Sequence, residues 1–115
     1  MRAPAKNLRQ RVAPSQRVEW VPVASLKPHP VNYRKHPEDQ LRHIERSVKE
    51  HGFYRNVVVA RDGTILAGHG VVLAAKRLKR DKVPVIRLPL AADDLRALKV
   101  LTSDNEISRL AEVDA

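Results

Sequence analysis

The chain of 115 residues lacks cysteine altogether and is poor in aromatic side chains, with one tryptophan, one phenylalanine and two tyrosines. The absence of cysteine excludes disulfide bonds and thiol chemistry and fits a reducing compartment. The scarcity of aromatic rings leaves little to stack on the bases of single-stranded nucleic acid. No apolar run is long enough for a membrane span or a signal peptide. We therefore expect a cytoplasmic protein that does not contact a membrane.

Positive charge is abundant but unevenly distributed. The formal net charge is +9, from 22 basic and 13 acidic residues. Residues 1–17 contain five basic residues, no acidic residue and two prolines, which predicts a disordered basic arm. Such an arm either binds DNA weakly and without sequence preference, through counterion release, or serves only to keep the chain soluble. The candidate DNA-binding residues are Arg2, Lys6, Arg9, Arg11 and Arg17.

Residues 18–115 are predicted to form one domain of the α/β (α+β) class, a small mixed β-sheet with flanking helices. Runs of β-branched residues predict the strands, and Pro22 places the first strand at a sheet edge. Asp62-Gly63 predicts a hairpin turn, because this dipeptide favours positive φ at both central positions. The predicted strands are 18–23, 57–60, 65–67 and 83–88, and the predicted helices are 37–51, 70–80, 92–103 and 104–115.

The most informative stretch runs from Thr64 to Lys76. An apolar run ends at Ala67, Gly68-His69-Gly70 follows, and a helical run of small residues comes next. A strand–turn–helix junction of this kind directs backbone N–H groups and the positive end of a helix dipole at one point, which suits a phosphate or another anion. His69 could donate a hydrogen bond to the anion or act in proton transfer. The tripeptide also fits a tight turn in which His69 is merely hydrogen bonded.

Other polar residues supply weaker candidates. His36 and His43 could share a helix face, but no cysteine and no His-Glu-Xaa-Xaa-His spacing accompanies them, so no zinc is expected. Asn32 and Arg34 lie in a loop that prolines bound, where Arg34 could make a bidentate contact with phosphate; an ordinary surface loop explains them equally well.

Asp104-Asn105-Glu106 has two interpretations. Asp104 or Asn105 is the expected N-cap of the last helix, since a short side chain with an oxygen accepts the free N–H groups of a first turn. Alternatively, Asp104 and Glu106 could hold a hard cation such as Mg²⁺.

Taken in order, these pieces resemble the N-terminal domain of the ParB/sulfiredoxin-like superfamily. The resemblance covers residues 18–113 and is closest to ParB-like domains of phages and mobile elements, often found beside DNA methyltransferase domains. Gly68-His69-Gly70 and the later Asp104-Asn105 are its sharpest motifs. The matching stretches are 23–28 with 32–34, 47–53, 57–59, 65–70 with 74–78, 83–86 and 104–105.

The resemblance implies a nucleotide-binding fold, in which partition proteins hold CTP and sulfiredoxins hold ATP. We therefore expect CTP or ATP with Mg²⁺ as the cofactor. Val71 departs from the family pattern, which has arginine after Gly-His-Gly, and Leu73 stands where partition proteins often have another arginine. Arg55 or Arg34 could replace the missing phosphate ligand. The nucleotide-binding residues that the resemblance implies are Asn32, Arg34, Gly68, His69, Gly70, Asp104 and Asn105, and Arg55 joins them as a candidate substitute cation.

Three functions follow as hypotheses. The first is a nucleotide-binding, DNA-associated accessory domain of a phage or mobile element, with DNA, a nucleotide and a DNA methyltransferase domain or another phage protein as partners. The second is a nuclease, NTPase or small kinase in which His69 is the catalytic acid or base and Asp104 or Glu106 holds Mg²⁺. The third is a degenerate protein-interaction module. Sulfiredoxin activity is excluded, because the catalytic cysteine of that enzyme would fall at His69.

Overall fold

The computed structural model describes residues 17–32, 36–53 and 55–114, with the side chains of the last helix described up to Asp104. Its elements follow the predicted order, with one difference in the last helix. The strands are β1 (Val18–Pro22), β2 (Val57–Val59), β3 (Ile65–Ala67) and β4 (Lys82–Arg87). The helices are α1 (Glu38–His51), α2 (His69–Arg77) and α3 (Leu95–Asp114), and a 3-10 turn spans Val23–Ser25.

The four strands form one mixed sheet in the order β1-β4-β2-β3, which confirms the predicted fold class. β4 pairs antiparallel with β1 and parallel with β2, and β2 pairs antiparallel with β3. β1 lies at an edge, as Pro22 predicts. β4 lies inside the sheet although it carries Pro84, which has no N–H to donate. The sheet accommodates this proline because β4 pairs with β2 only from Val85 onward.

The hairpin between β2 and β3 turns at Asp62 and Gly63, as predicted, but with a different geometry. Of these two residues only Gly63 has a positive φ, at 91°. The Gly63 N–H donates to the Ala60 carbonyl at 3.0 Å and the Ala60 N–H donates to the Thr64 carbonyl at 2.8 Å, which closes a three-residue loop. Asp62 accepts hydrogen bonds from the hydroxyl and the N–H of Thr64, and these bonds lower the pKa of Asp62 to about 2.

The sheet has helices on both faces. Successive strand residues point to opposite sides, so each helix layer packs against a different set of strand residues. On one face, the fully buried Val57 and Val59 belong to a core that includes Val72 and Ala75 of α2. On the other face, the fully buried Leu66 packs with α3. Burial of each large aliphatic side chain contributes about 1.5–3 kcal/mol, so both helix layers are held to the sheet mainly by apolar contact.

The last helix differs from its prediction. The sequence predicts a break with Asp104 or Asn105 as N-cap, whereas the structure has one helix, Leu95–Asp114. That prediction was wrong. The residue that caps this helix is Asp94, whose Oδ1 accepts the Arg96 N–H at 2.8 Å. Asp104 therefore lies inside the helix, and its carboxylate is able to contact another element.

The single tryptophan lies on the edge strand β1. Trp20 is 59% exposed. Its ring meets that of Phe53, shortly after the end of α1, edge to face with centroids 6.1 Å apart. This aromatic pair attaches the edge strand to the end of α1.

Candidate functional site

The candidate site begins at Gly68, where β3 passes into α2. Gly68 has φ 97° and ψ 24°, the left-handed conformation that a side chain disfavours. A Cβ at this position would also lie 3.3 Å from both Cα and Cγ2 of Val57. Glycine is therefore required here both for backbone conformation and for close contact with β2. α2 begins at His69, one residue earlier than predicted.

Gly70 allows a second close contact, between the first turn of α2 and the residues before and within α1. A Cβ at this position would lie 3.1 Å from Cδ1 of Ile44 and 3.2 Å from two ring atoms of His36. His36 is thus held against the N-terminal turn of α2. The prediction that His36 shares a helix face with His43 is wrong, because His36 precedes α1 while His43 lies exposed on it.

His69 is the first residue of α2 and is only 7% exposed. Its Nε2 accepts the backbone N–H of His29 at 3.4 Å. Because Nε2 is the acceptor, the neutral ring carries its proton on Nδ1, and this buried Nδ1 has no partner among the described residues. Burial, assisted by the neighbouring His36 and His29, lowers the pKa of His69 to about 4. His69 is therefore a neutral hydrogen-bond donor at physiological pH.

His29 holds His69 in this orientation and was not singled out by the sequence. Its Nδ1 accepts the Val31 N–H at 3.1 Å, so its Nε2 carries the proton and donates to the Ala92 carbonyl at 2.9 Å. The ring is 5% exposed. Both ring nitrogens of His29 are bonded, so the role of this side chain is to connect two loops and to present its own N–H to His69.

His69 lines a cavity of about 280 Å³ beside α2. Its apolar lining includes Ile65 and Val72. Three buried polar atoms on its lining residues have no hydrogen-bond partner within the described part of the chain: Asn32 Oδ1, His36 Nε2 and His69 Nδ1. Buried polar groups are normally satisfied, and each one left unpaired costs about 1–3 kcal/mol. Their concentration around one cavity indicates a ligand site. Lys76 adds a positive charge at the wall.

Asp104 reaches the same junction from α3. Its Oδ2 accepts the Gly68 N–H at 3.3 Å, and its Oδ1 lies 3.9 Å from a guanidinium nitrogen of Arg55. Asp104 thus caps α2 instead of its own helix. The structure brings together Gly68 and Asp104, two of the residues that the resemblance implies, and places the candidate substitute Arg55 beside them. The Gly68 N–H is already bonded to Asp104, so the donors that remain at this end of α2 are the N–H groups of its first turn and the His69 Nδ1–H.

The geometry favours a donor role for His69 over acid or base catalysis. The neutral ring has its Nε2 lone pair bonded to the His29 N–H and its proton on Nδ1, so it offers no free lone pair to a proton. A catalytic role for His69 stays a prediction. Among the described side chains, no group of three or more His, Cys, Asp or Glu residues is placed to hold a metal ion. The Mg²⁺ site of Asp104 and Glu106 likewise stays a prediction, since the Glu106 side chain lies outside the described part.

Of the five candidate DNA-binding residues, Arg17 is described and lies exposed immediately before β1. Several other predicted residues lie outside the described part. They are Arg2, Lys6, Arg9 and Arg11 of the basic arm, Arg34 of the loop, and the side chain of Asn105. In the part of the chain that the structure describes, no helix combines the length and apolar character that a membrane crossing requires.

The fold and the junction define a small α/β domain with a candidate ligand site where a strand passes through glycine into a helix. The chain belongs to the ParB N-terminal domain family, whose model matches residues 7–106. It is 37% identical over 78 residues to the "ParB-like nuclease domain-containing protein YnaK" of Escherichia coli (strain K12), covering 68% of this chain and 90% of that protein.

Two solved structures share the fold. C-terminally truncated chromosome-partitioning protein ParB from Caulobacter crescentus, complexed with CTP-γ-S, is 25% identical with a TM-score of 0.69, over 77% of this chain and 52% of that one. This chain therefore spans about half of that truncated chain. Sulfiredoxin from Arabidopsis thaliana, 14% identical with a TM-score of 0.62, matches 72% of this chain and 97% of that one and shows the fold alone. The predicted superfamily is confirmed.

Proposed function

We propose that the domain binds a nucleotide in the cavity beside the N-terminal turn of α2, with CTP or ATP as the candidate ligands. The observation that carries this proposal is His69, whose Nδ1–H is buried, unpartnered among the described residues and positioned at the start of a helix. A ligand oxygen or nitrogen that accepts this N–H recovers the hydrogen bond that the free protein lacks. The positive end of the α2 dipole and Lys76 favour an anionic group nearby.

Similarity supports the same ligand class. The ParB structure from Caulobacter crescentus contains CTP-γ-S, a triphosphate analogue. In the present chain the arginine expected at position 71 is absent, so the remaining cations near the described part of the site are Lys76 and Arg55. Because Arg55 is already close to the carboxylate of Asp104, we expect a weaker triphosphate affinity than an unpaired arginine would provide.

Calorimetric titration of the full chain with CTP, ATP and GTP, with and without Mg²⁺, tests the proposal. At least one nucleotide is expected to bind. His69→Gln keeps an amide oxygen near the Nε2 position for the His29 N–H but removes the donor from the cavity, and it should weaken binding about tenfold. His69→Asn, which places an amide near the Nδ1 position, should retain more affinity. If no nucleotide gives heat or a chemical-shift change, the proposal is wrong.

A gain of affinity provides a second test. Val71 is 8% exposed and belongs to the main core, so an arginine there would bury a charge and destabilise the fold. Leu73 lines the same cavity and is 39% exposed, which makes it the better position. Leu73→Arg is expected to tighten triphosphate binding severalfold, with Leu73→Gln as the uncharged control. If Leu73→Arg and Leu73→Gln tighten nucleotide binding equally, the added charge is not the cause. If neither variant binds a nucleotide, the degenerate-module hypothesis gains support.

We further propose weak DNA association through the basic arm. The charge of residues 1–17 carries this part of the proposal, and replacement of Arg9 and Arg11 by glutamine should lower both the affinity for duplex DNA and the salt dependence of binding. The same replacement of Lys79 and Arg80, two exposed residues after α2, is the control, because it removes the same number of charges. If both variants lose the same DNA affinity, the overall positive charge of the chain, and not the basic arm in particular, accounts for binding. The phage origin, the methyltransferase partner and the cytoplasmic location stay predictions.

A further inference from the structure

His36 lines the cavity and differs from the other histidines of the site in having a ring nitrogen that is an unpaired acceptor. Its Nδ1 lies 3.0 Å from Gln40 Oε1, and because an amide oxygen only accepts, Nδ1 carries the proton of the neutral ring. Nε2 is then an acceptor. It is buried and has no partner among the described residues.

The neutral cavity is poorly matched to an oxyanion. Asn32 Oδ1 and His36 Nε2 both present lone pairs, and an anion brings only more lone pairs. The attractive groups are the N–H groups of the first turn of α2, the His69 Nδ1–H and the exposed Lys76 ammonium. An anion next to His36 Nε2 meets a lone pair, and protonation of that nitrogen turns this repulsive contact into a hydrogen bond.

His36 can make this change without losing an existing bond, whereas His69 cannot. A proton added to Nε2 of His36 leaves the Nδ1–H···Oε1 bond to Gln40 in place. A proton added to His69 would go to Nε2, which already accepts the His29 N–H. The two rings therefore have different roles at the same cavity.

The ionisable surroundings of His36 are few within the described part of the chain. From α2 it faces His69, which is neutral, and Lys76 on the cavity wall. From α1 it meets the uncharged amide of Gln40 and the Cδ1 of Ile44 beyond Gly70, and His29 stands behind His69 with both ring nitrogens bonded. Arg34 and Lys35, which precede it in the chain, lie outside the described residues.

We propose that His36 takes up a proton from solvent on Nε2 when a phosphate or similar oxyanion enters the cavity, so that anion binding is tightest at low pH; this inference rests on the proposed nucleotide function. An anion stabilises the imidazolium, and binding is therefore coupled to proton uptake. For one coupled proton, affinity falls at most about tenfold for each pH unit above the range in which the bound ring titrates.

The test is calorimetry of the full chain with CTP at about pH 6.5, in two buffers of different ionisation enthalpy, which counts the protons taken up. His36→Asn keeps an amide near the Nδ1 position for Gln40 and removes the titrating atom. We expect the wild type to take up about one proton more than this variant, and to lose about tenfold more affinity between about pH 6 and pH 8. Subtracting the variant removes the titration of the nucleotide itself. His43→Asn, the same change on the exposed side of α1, should behave as wild type.

Two outcomes would overturn the inference in distinguishable ways. If CTP binds but the wild type and His36→Asn take up equal numbers of protons, the inference fails and nucleotide binding stands. If another nucleotide binds and CTP does not, that nucleotide replaces CTP in the same test. If none of CTP, ATP and GTP binds at any pH, the proposed function fails, and sulfate then decides the inference, because this dianion does not titrate in the range used. Sulfate should raise the titration midpoint of the His36 ring in NMR spectra while leaving that of His43 unchanged. If the midpoint of His36 does not change, the proposed coupling between anion binding and proton uptake is wrong. His36→Gln serves if His36→Asn fails to fold.

Discussion

The two ends of α2 are built in opposite ways. At the C-terminal end, Arg77 is bonded to both Glu38 and Glu45 of α1. The Arg80 N–H donates to the Ala75 carbonyl at 2.9 Å and the Lys79 N–H donates to the Lys76 carbonyl at 3.1 Å, which satisfies the final turn. The basic side chains of this end are exposed and its backbone groups are paired.

At the N-terminal end, small residues, buried imidazoles and unpaired polar atoms replace exposed charges. His69 Nδ1 and His36 Nε2 are both buried without a partner in the described structure. A helix end whose polar groups are all hydrogen bonded stabilises the fold. A helix end with buried, unpaired donors and acceptors lowers the free energy of unfolding, and a ligand that bonds to these groups removes that cost. The difference between the ends, more than the charge of either, supports the proposal that a ligand binds at the N-terminal end.

The largest expected effect follows from adding a methyl group at the N-terminal end. In Gly68→Ala the new Cβ sits on a left-handed backbone and lies 3.3 Å from Val57 Cα. We therefore expect the free energy of unfolding to fall by about 2 kcal/mol or more. Urea denaturation measures this loss. Gly52→Ala is the control: Gly52 also has a positive φ, at 78°, but nothing lies within 4 Å of its Cβ position. The control should lose stability while retaining nucleotide binding, and an undiminished stability of Gly68→Ala would contradict the close contact.

The next effect is the pH dependence that His69 confers. Its pKa is lowered to about 4 in the folded state, so in the range between that value and the ordinary histidine value the unfolded chain binds more protons. The contribution of His69 to the free energy of unfolding is therefore fully present above about pH 6.5 and is lost as the pH falls toward 4. The loss amounts to at most about 2 kcal/mol after allowance for solvent screening.

Thermal or urea unfolding of wild type and His69→Gln across this pH range isolates the contribution. The variant should lose less stability on acidification than the wild type, because other titrating groups are common to both. Parallel pH profiles would show that His69 is not held neutral by the fold.

A smaller effect of opposite sign is expected at the C-terminal end. Lys79 occupies the left-handed region with φ 60°, at the position after the helix where glycine is favoured. Lys79→Gly should stabilise the domain by about 0.5–1 kcal/mol, because the relief of backbone strain exceeds the entropy that glycine costs. Lys82→Gly, in a strand, should destabilise instead. A loss of stability in Lys79→Gly would mean that the lysine side chain makes a contact of its own.

The smallest effect is expected from Arg77→Gln, which keeps the polar stem but removes the ion pairs with α1. Arg77 and Glu38 are exposed to solvent, although Glu45 is only 19% exposed, so the loss of stability should be small and should shrink as salt is added. The salt dependence of the urea midpoint, compared with that of Lys76→Gln, provides the measurement. A large loss that persists in high salt would place Arg77 among the groups that hold α1 to α2.

Local sequence signals were sufficient for the strands, the hairpin position and the start of α2. Gly68 was identifiable because a glycine between an apolar strand and a small-residue helix is typical of a tight strand-to-helix turn. The break at Asp104 was predicted wrongly for the same local reason: an Asp after a Ser is a good N-cap in isolation. Only the tertiary contact between Asp104 and the Gly68 N–H, across 36 residues of chain, shows its actual use.

The histidines show where prediction from the sequence ends. The spacing of His36 and His43 suggested a shared helix face, but the helix starts at Glu38, after His36. His29 gave no signal beyond its two flanking prolines, although it sets the tautomer of His69 through a backbone N–H. Contacts of this kind depend on how loops cross in space and leave no periodic pattern in the chain.

The aromatic pair on the edge strand has an experimental consequence. Trp20 is the only tryptophan of the chain, and it rests on Phe53 at the periphery and not in either core. Its fluorescence therefore reports detachment of one border of the sheet, while circular dichroism reports the helices. Denaturation curves from the two signals coincide only if that border and the helices unfold as one cooperative unit, so this ring makes cooperativity measurable without any added label.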